Sequence, residues 1–305
     1  MAATEKRPPT VSVVVPCRNE RDYIESCVRS ILAQQPPSGG FEVIVVDGLS
    51  DDGTREILAR IARENSPLHV IDNPGRATAY GMNLGVRRAR GQYIAIMGAH
   101  AYYAHDYLKR CLRTAIATGA DNVGGAMLCV GRSFLHRAIA IAHHSRFSAG
   151  GARWHDPAYE GPADTVFGGF YRREVFDRIG LFDESLARNQ DDELNLRLTR
   201  AGGQIWHSPA IKSWYHPRES LGALFQQYLQ YGYWKVRVVQ KHRRPASIRQ
   251  LVPAVFVGSL IGLALIAAFC RPVFWAWLAL LGGYLCAALA ASVASATRHG
   301  MKYLL

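Results

Sequence analysis

The chain has no C-x-x-C pair, and none of its six cysteines (Cys17, Cys27, Cys111, Cys129, Cys270, Cys286) has histidine partners at zinc-finger spacing. A structural zinc site and a disulfide framework are therefore not expected, and a reducing cytosol is the natural setting. There is no G-x-x-x-x-G-K-S/T loop, which argues against P-loop ATPase chemistry. No G-x-G-x-x-G follows the first apolar run, which argues against a NAD-type site. The opening stretch, Met1 to Pro9, is polar and charged, so no cleavable signal peptide is expected. Internal repeats and low-complexity tracts are lacking. Acidic residues run out early: Glu219 is the last of 24 and nine Lys/Arg follow it, so +9 of the net +12 falls in the final 86 residues.

What is present suits a folded enzyme. With 305 residues and 49% apolar side chains, the chain exceeds one average domain and has ample material for a core. Residues 11–128 alternate short β-branched runs with amphipathic stretches. The pattern predicts strands over 11–15, 42–46, 68–71 and 92–97, and helices over 21–34, 52–63, 76–88 and 105–118. Near-continuous apolar strands between helices imply a parallel, doubly wound α/β sheet, which binds ligands at the carboxyl ends of its strands. Those ends carry Arg18-Asn19-Glu20, then Asp47 with Asp51-Asp52-Gly53-Thr54, then Gly98-Ala99-His100. Residues 148–163, rich in Gly, Ala and Pro, read as a mobile loop, and 190–201 and 219–241 read as helices.

Two charge-free runs close the chain, 251–270 and 272–297, with Arg271 alone between them. About 20 apolar residues cross a hydrocarbon core as a helix, so a transmembrane hairpin is expected. Lys235, Arg237, Lys241, Arg243, Arg244 and Arg249 precede it and Arg298 and Lys302 follow. Short basic flanks stay cytoplasmic, so both ends and everything before Leu251 are expected in the cytosol. The basic run abuts this hairpin and carries no base-reading motif, so nucleic acid is not expected as a partner.

In this setting the motifs resemble family 2 glycosyltransferases of the GT-A fold. The likeness rests on Pro16-Cys17-Arg18-Asn19-Glu20, on Val46-Asp47-Gly48-Leu49-Ser50-Asp51-Asp52-Gly53-Thr54, and on Asn73-Pro74-Gly75-Arg76 through Asn83-Leu84-Gly85. It continues in Phe167-Gly168-Gly169-Phe170, Gly180-Leu181-Phe182-Asp183-Glu184 and Gln190-Asp191-Asp192-Glu193. Tyr228 to Val238 and the tail are similar to membrane-associated, succinoglycan-type exopolysaccharide glucosyltransferases. The resemblance implies a cytosolic GT-A catalytic domain over 1–218, with a nucleotide-sugar half at about 10–128 and an acceptor half at about 129–218. A basic interfacial helix region over 219–250 and the hairpin over 251–305 complete it.

The same resemblance implies roles. Pro16, Arg18, Asn19, Glu20, Asp47, Asp52, Arg76 and Gly98 fall on the donor side. Asp47 would accept a uracil N3–H and the arginines would meet the diphosphate. Asp47 also reads as a turn-former and Asp52 as a helix-terminal carboxylate, and both readings stay open. His100 stands where the family carries the last residue of Asp-x-Asp, next to a divalent cation, Mg²⁺ or Mn²⁺. Gly98 replaces the first Asp of that motif. Asp191 matches the catalytic base of an inverting displacement. Gln190, Asp192, Gln227, Gln230, Tyr231 and Trp234 fall on the acceptor side, although Trp234 also reads as an interfacial aromatic. The function implied is transfer of a hexose from a nucleotide diphosphate sugar, such as UDP-glucose, to a lipid-linked saccharide at the cytoplasmic membrane. A nucleotide-sugar-binding subunit without turnover and a polyprenyl-phosphate glycosyltransferase are the alternatives.

Overall fold

The computed structural model describes residues 8–150, 152–153, 156–244 and 247–304. The readings of residues 1–7, of parts of 148–163, and of the side chain of Arg249 fall outside the described residues. Four βα units open the chain: β1 (Val11–Cys17), α1 (Ile24–Leu32), β2 (Phe41–Asp47), α2 (Thr54–Glu64), β3 (Leu68–Asp72), α3 (Thr78–Arg88), β4 (Tyr93–Ile96) and, after the short β5 (Ala101–Tyr103), α4 (Tyr107–Thr118). Each predicted strand and helix of this half is found within three residues at either end. The strands pair in parallel in the order β3-β2-β1-β4.

Period-2 alternation decides which helix covers which face. Val11, Val13 and Val15 of β1 point into one core with Ile24, Val28 and Ile31 of α1, Leu58 of α2 and Leu108 of α4. Val14 points the other way, into a second core with Met82 and Val86 of α3 and Leu194 and Leu198 further on. Because β1 pairs with β2 on one side and β4 on the other, the chain reverses direction across the sheet between β1 and β4. That is where an open α/β sheet leaves a crevice.

The second half extends the same sheet. β6 (Asn122–Gly124), β7 (Met127–Cys129), α5 (Phe134–His143), α6 (Arg146–Ala149), β8 (Gly161–Pro162), β9 (Phe170–Arg172), α7 (Arg173–Ile179), α8 (Gln190–Arg200), β10 (Ile205–His207), β11 (Ser213–Tyr215) and α9 (Leu221–His242) follow in order. β9 inserts antiparallel between β4 and β6, and β10 and β8 complete the edge, so the sheet is mostly parallel and not wholly so. β5, β11 and β7 form a small second sheet. Sequence patterning predicts none of α5, α6 and α7, and β8 lies within the stretch expected to be a loop.

α10 (Val252–Ala267) and α11 (Arg271–His299) form an antiparallel pair, with the Trp277 indole N–H bonding the Leu260 carbonyl at 3.1 Å. The first run is shorter as a helix than as a sequence. Its 16 residues reach about 24 Å, less than the roughly 30 Å of a hydrocarbon core. Cys270 is extended and Pro272 starts a new helix, which cuts the apolar run at its end. α11, with 29 residues, is the one helix among the described residues that is long and apolar enough to cross a membrane.

Candidate active site

A cavity of about 610 Å³ opens at the carboxyl ends of β1 and β4, at the point of reversal. Pro16, Arg18, Asn19 and Glu20 line it from β1, Gly98 and His100 from β4, Asp52 from the loop after β2, Arg76 from the turn before α3, and Asp191 from α8. Nine expected residues from five segments thus meet. Asp47, Gln190, Asp192, Gln227, Gln230, Tyr231 and Trp234 are not on its wall.

Local chemistry explains the wall. Asn19 adopts φ +56°, a conformation Asn tolerates better than most residues. Its carboxamide oxygen accepts the Asp51 N–H at 3.1 Å and its own N–H bonds Ser50 Oγ at 2.8 Å. The loops after β1 and β2 are clamped together in this way. Asp52 accepts the Arg21 N–H at 3.0 Å and both the N–H and hydroxyl of Thr54 at 3.0 and 2.6 Å. Desolvation raises its pKa, but these bonds outweigh it and hold the carboxyl below the usual range. Asp52 therefore organises the start of α2 while facing the cavity, and the two readings of it coexist.

Asp47 lies beneath the cavity, with 1% of its surface exposed. Ser50 donates to it through Oγ at 2.5 Å and N–H at 3.0 Å, and Arg55 approaches at 3.1 Å. These contacts fix the carboxylate at the end of β2. At the neighbouring strand end, Glu20 Oε2 and His100 Nδ1 lie 2.6 Å apart, bridging the reversal point. Gly98 has an ordinary φ, and a Cβ placed on it would meet nothing closer than the Tyr103 hydroxyl at 4.0 Å. The missing carboxylate leaves space in the wall.

The run Asp191-Asp192-Glu193 splits three ways because residues one apart on a helix diverge. Asp191 faces the cavity. Burial, then the adjacent Asp192 charge, push its pKa up to about 6, opposed by backbone N–H groups and by Lys235. Asp192 is paired with the Lys235 ammonium of α9. Glu193 is fully buried, held by Arg197 at 2.8 Å and by His242 and Lys241 of α9 at 2.8 and 3.4 Å.

α9 braces this end of α8 from outside. Gln230 accepts from Arg188 Nε at 3.2 Å, the Tyr231 carbonyl accepts from Asn189 at 2.9 Å, and Gln227 bonds the Tyr231 hydroxyl at 3.0 Å. Trp234 packs on Leu186, Leu196 and Val238, so its ring belongs to a small apolar cluster. Gln190 is buried at the start of α8.

Several wall residues escaped the sequence reading, Arg188 and Arg218 among them. Arg188 precedes Asp191 by three positions and Arg218 precedes α9, and both line the cavity. Among the described residues, Arg18, Arg21, Arg76, Arg188 and Arg218 on this wall have no carboxylate at ion-pair distance, which leaves five cations free to meet an anion. Nothing in the sequence context of Arg188 and Arg218 separates them from solvated surface arginines. Phe167 and Phe182 add apolar wall. Among the described residues no three His, Cys, Asp or Glu converge as a metal cluster. The one carboxylate and one imidazole of Glu20 and His100 fit a cation whose remaining ligands come from a bound diphosphate.

The strand-end cavity at the reversal point thus holds a raised carboxylate beside unpaired arginines, a wall suited to an anionic ligand. Residues 12–180 match the family model Glycosyl transferase family 2, and the chain belongs to that family and is a glycosyltransferase. It is 35% identical over 255 residues to succinoglycan biosynthesis protein ExoA of Rhizobium meliloti, covering 83% of this chain and 77% of ExoA. It is 28% identical over 240 residues to dolichyl N-acetyl-alpha-D-glucosaminyl phosphate 3-beta-D-2,3-diacetamido-2,3-dideoxy-beta-D-glucuronosyltransferase of Methanococcus voltae, covering 76% and 74% of the two chains. The mannosyltransferase PcManGT of Pyrobaculum calidifontis, solved with GDP-Man and Mn²⁺, shares the fold at a TM-score of 0.64 and 21% identity, over 97% of this chain and 85% of that one.

Proposed function

We propose that this glycosyltransferase moves a hexose, with inversion, from a UDP-hexose such as UDP-glucose to a hydroxyl of a lipid-linked saccharide in exopolysaccharide or glycoconjugate assembly. The observation that carries the reading is the position of Asp191. It is a carboxylate with no ion-pair partner among the described residues, its pKa raised to about 6, in the same cavity as the strand-end residues. In a single displacement the acceptor oxygen bonds the anomeric carbon as the bond to the diphosphate oxygen breaks, and the hydroxyl proton passes to Asp191. Arg188, Arg218, Arg18 and Arg76 neutralise the charge that collects on the departing nucleoside diphosphate. His100 and Glu20 would hold a divalent cation, Mn²⁺ or Mg²⁺, which supplies further neutralisation of that diphosphate when bound. Gln190, Asp192, Gln227, Gln230 and Tyr231 frame the acceptor side from α8 and α9.

The lipid-linked acceptor is supported by the apolar tail, in which α11 is long enough to cross a membrane, and the Lys/Arg cluster before Leu251 favours a cytosolic catalytic domain. The names of the two relatives, one in succinoglycan biosynthesis and one acting on a dolichyl-linked sugar phosphate, agree with it. The test is release of UDP from a panel of UDP-hexoses, with GDP-mannose as control, using membrane lipid extract as acceptor, with and without chelator. Asp191→Asn is expected to abolish release while leaving UDP binding intact. Full activity of that variant would favour transfer to a polyprenyl phosphate, which needs no base. Donor binding without turnover in the wild type would favour a binding subunit.

A further inference from the structure

His136, on the inner face of α5, is fully buried, and the reaction derived above gives it no part. Both of its ring nitrogens are spent on backbone. Nδ1 accepts the Arg132 N–H at 3.2 Å, so the hydrogen-bond pattern assigns a lone pair to that nitrogen and the ring proton to Nε2. Nε2 then donates to the Pro217 carbonyl at 2.9 Å, across 81 residues of chain. Glu219 Oε1 lies 3.7 Å from Nδ1, but with no proton between them the two do not bond.

The bonded peptide leads directly into the cavity wall. The Pro217 carbonyl belongs to the planar unit that continues into the Arg218 nitrogen, so holding one holds the other. Pro217 is itself buried, and its ring locks φ, which removes a torsion that could swing the next residue. On the other side of Arg218, Glu219 accepts the Tyr23 hydroxyl at 3.3 Å. Upstream, the His216 N–H bonds the His100 carbonyl at 3.3 Å, and the His216 ring lies 5.4 Å from that of Tyr23. Downstream, Ser220 caps α9 by accepting the Ala223 N–H at 3.2 Å. Residues 216–220 are thus a strap tied on both sides of Arg218, whose own side chain lines the cavity. A long cationic side chain on an untied loop would have to be ordered by its ligand, and tying the loop beforehand removes that cost.

We propose that His136 is a positioning residue: through the Pro217 carbonyl it holds Arg218 where the guanidinium meets the diphosphate of the nucleotide sugar. This rests on the reading of the cavity as a donor site and adds to it a residue of α5 that is not on the cavity wall. The Tyr23 hydroxyl, acting through Glu219, steadies the same strap from the other side.

The test is a double-mutant cycle on the full chain in detergent, read by titration calorimetry with UDP. Uridine, measured by competition against UDP, is the probe that lacks the diphosphate. Arg218→Gln should weaken UDP about tenfold and leave uridine unmoved, since it removes one charged contact to the diphosphate. His136→Phe should weaken UDP about fivefold in the wild-type background but less than about twofold in Arg218→Gln, because it acts through that arginine. His136→Gln, whose amide can still donate to the Pro217 carbonyl, should keep most of the affinity. Tyr23→Phe deletes a single hydroxyl; its loss of UDP affinity should likewise depend on Arg218, and it carries the test if His136→Phe does not fold. Equal losses with and without Arg218 overturn the positioning role. So does a loss of uridine affinity that matches the loss for UDP, which would mean a distorted cavity. Unchanged UDP affinity in Arg218→Gln, or no UDP binding by the wild type, overturns the donor-site reading and the proposal with it.

Discussion

Asp191 and Asp192 are neighbours in sequence, yet one carboxylate faces the cavity and the other is neutralised by Lys235 from α9. The helix that packs against α8 thus sets the charge beside the catalytic candidate. Without Lys235 two like charges would sit side by side, partly desolvated, and the base would be harder to ionise.

This relationship gives a pH signature. Asp191 works as a base only when ionised, so kcat/KM should rise with pH through about 6, the value to which burial and then Asp192 push it. Asp192→Asn removes the like charge and should move the acid limb to lower pH. Lys235→Met leaves Asp192 unpaired and should move it to higher pH, with Lys235→Arg restoring it. An acid limb that ignores both changes would remove Asp191 from the role.

The same shift has a stability consequence of definite sign. Asp191 has a folded pKa above its ordinary value of 3.8, so its ionisation opposes folding as pH rises through about 6. Asp191→Asn should therefore raise the melting temperature at pH 8, and the gain should fade toward pH 4. A thermal shift series across that range checks it.

Position 98 offers a gain of function. The wall has room for a side chain there, and Glu20 and His100 stand nearby. Gly98→Asp should fold normally and bind Mn²⁺ in the presence of UDP about tenfold more tightly, since a hard carboxylate joins the donor set. Titration calorimetry reads the change without recourse to turnover. Unchanged Mn²⁺ affinity would show that the cation does not sit at this strand end.

Gly85 tests the scaffold rather than the site. A Cβ there would fall 2.2 Å from Val14 Cγ1, because α3 packs directly on β1. Gly85→Ala should cost about 1–3 kcal/mol of stability and lower the melting temperature by several degrees. UDP affinity below the transition should stay as in the wild type.

The neighbouring Asn83 shows how far a motif can be read from sequence. Resemblance places Asn83-Leu84-Gly85 in a family signature, but the side chain of Asn83 is buried and ties α3 to the Phe182 loop through bonds of 2.9 Å to both its N–H and its carbonyl. The signature there marks a clamp. Asp47 also carries local bonds that its strand-end position does not reveal, from Ser50 and Arg55. Strand-end residues whose polar atoms are spent locally look the same in one dimension as those whose atoms are free.

The sequence determined by itself the four opening βα units, the parallel sense of their strands, the segments from which the cavity wall is drawn, and the apolar tail. Those follow from local periodicity and from turn chemistry, which need no knowledge of distant residues. Tertiary structure alone decided that β9 enters antiparallel beside β4, that Arg188 and Arg218 reach the cavity, that three consecutive acids have three separate fates, and that α5 meets the tail where Phe134 stacks on Tyr303. Each of these depends on contacts between residues far apart in the chain, and pairing across such distances leaves no periodic trace in the segments it joins.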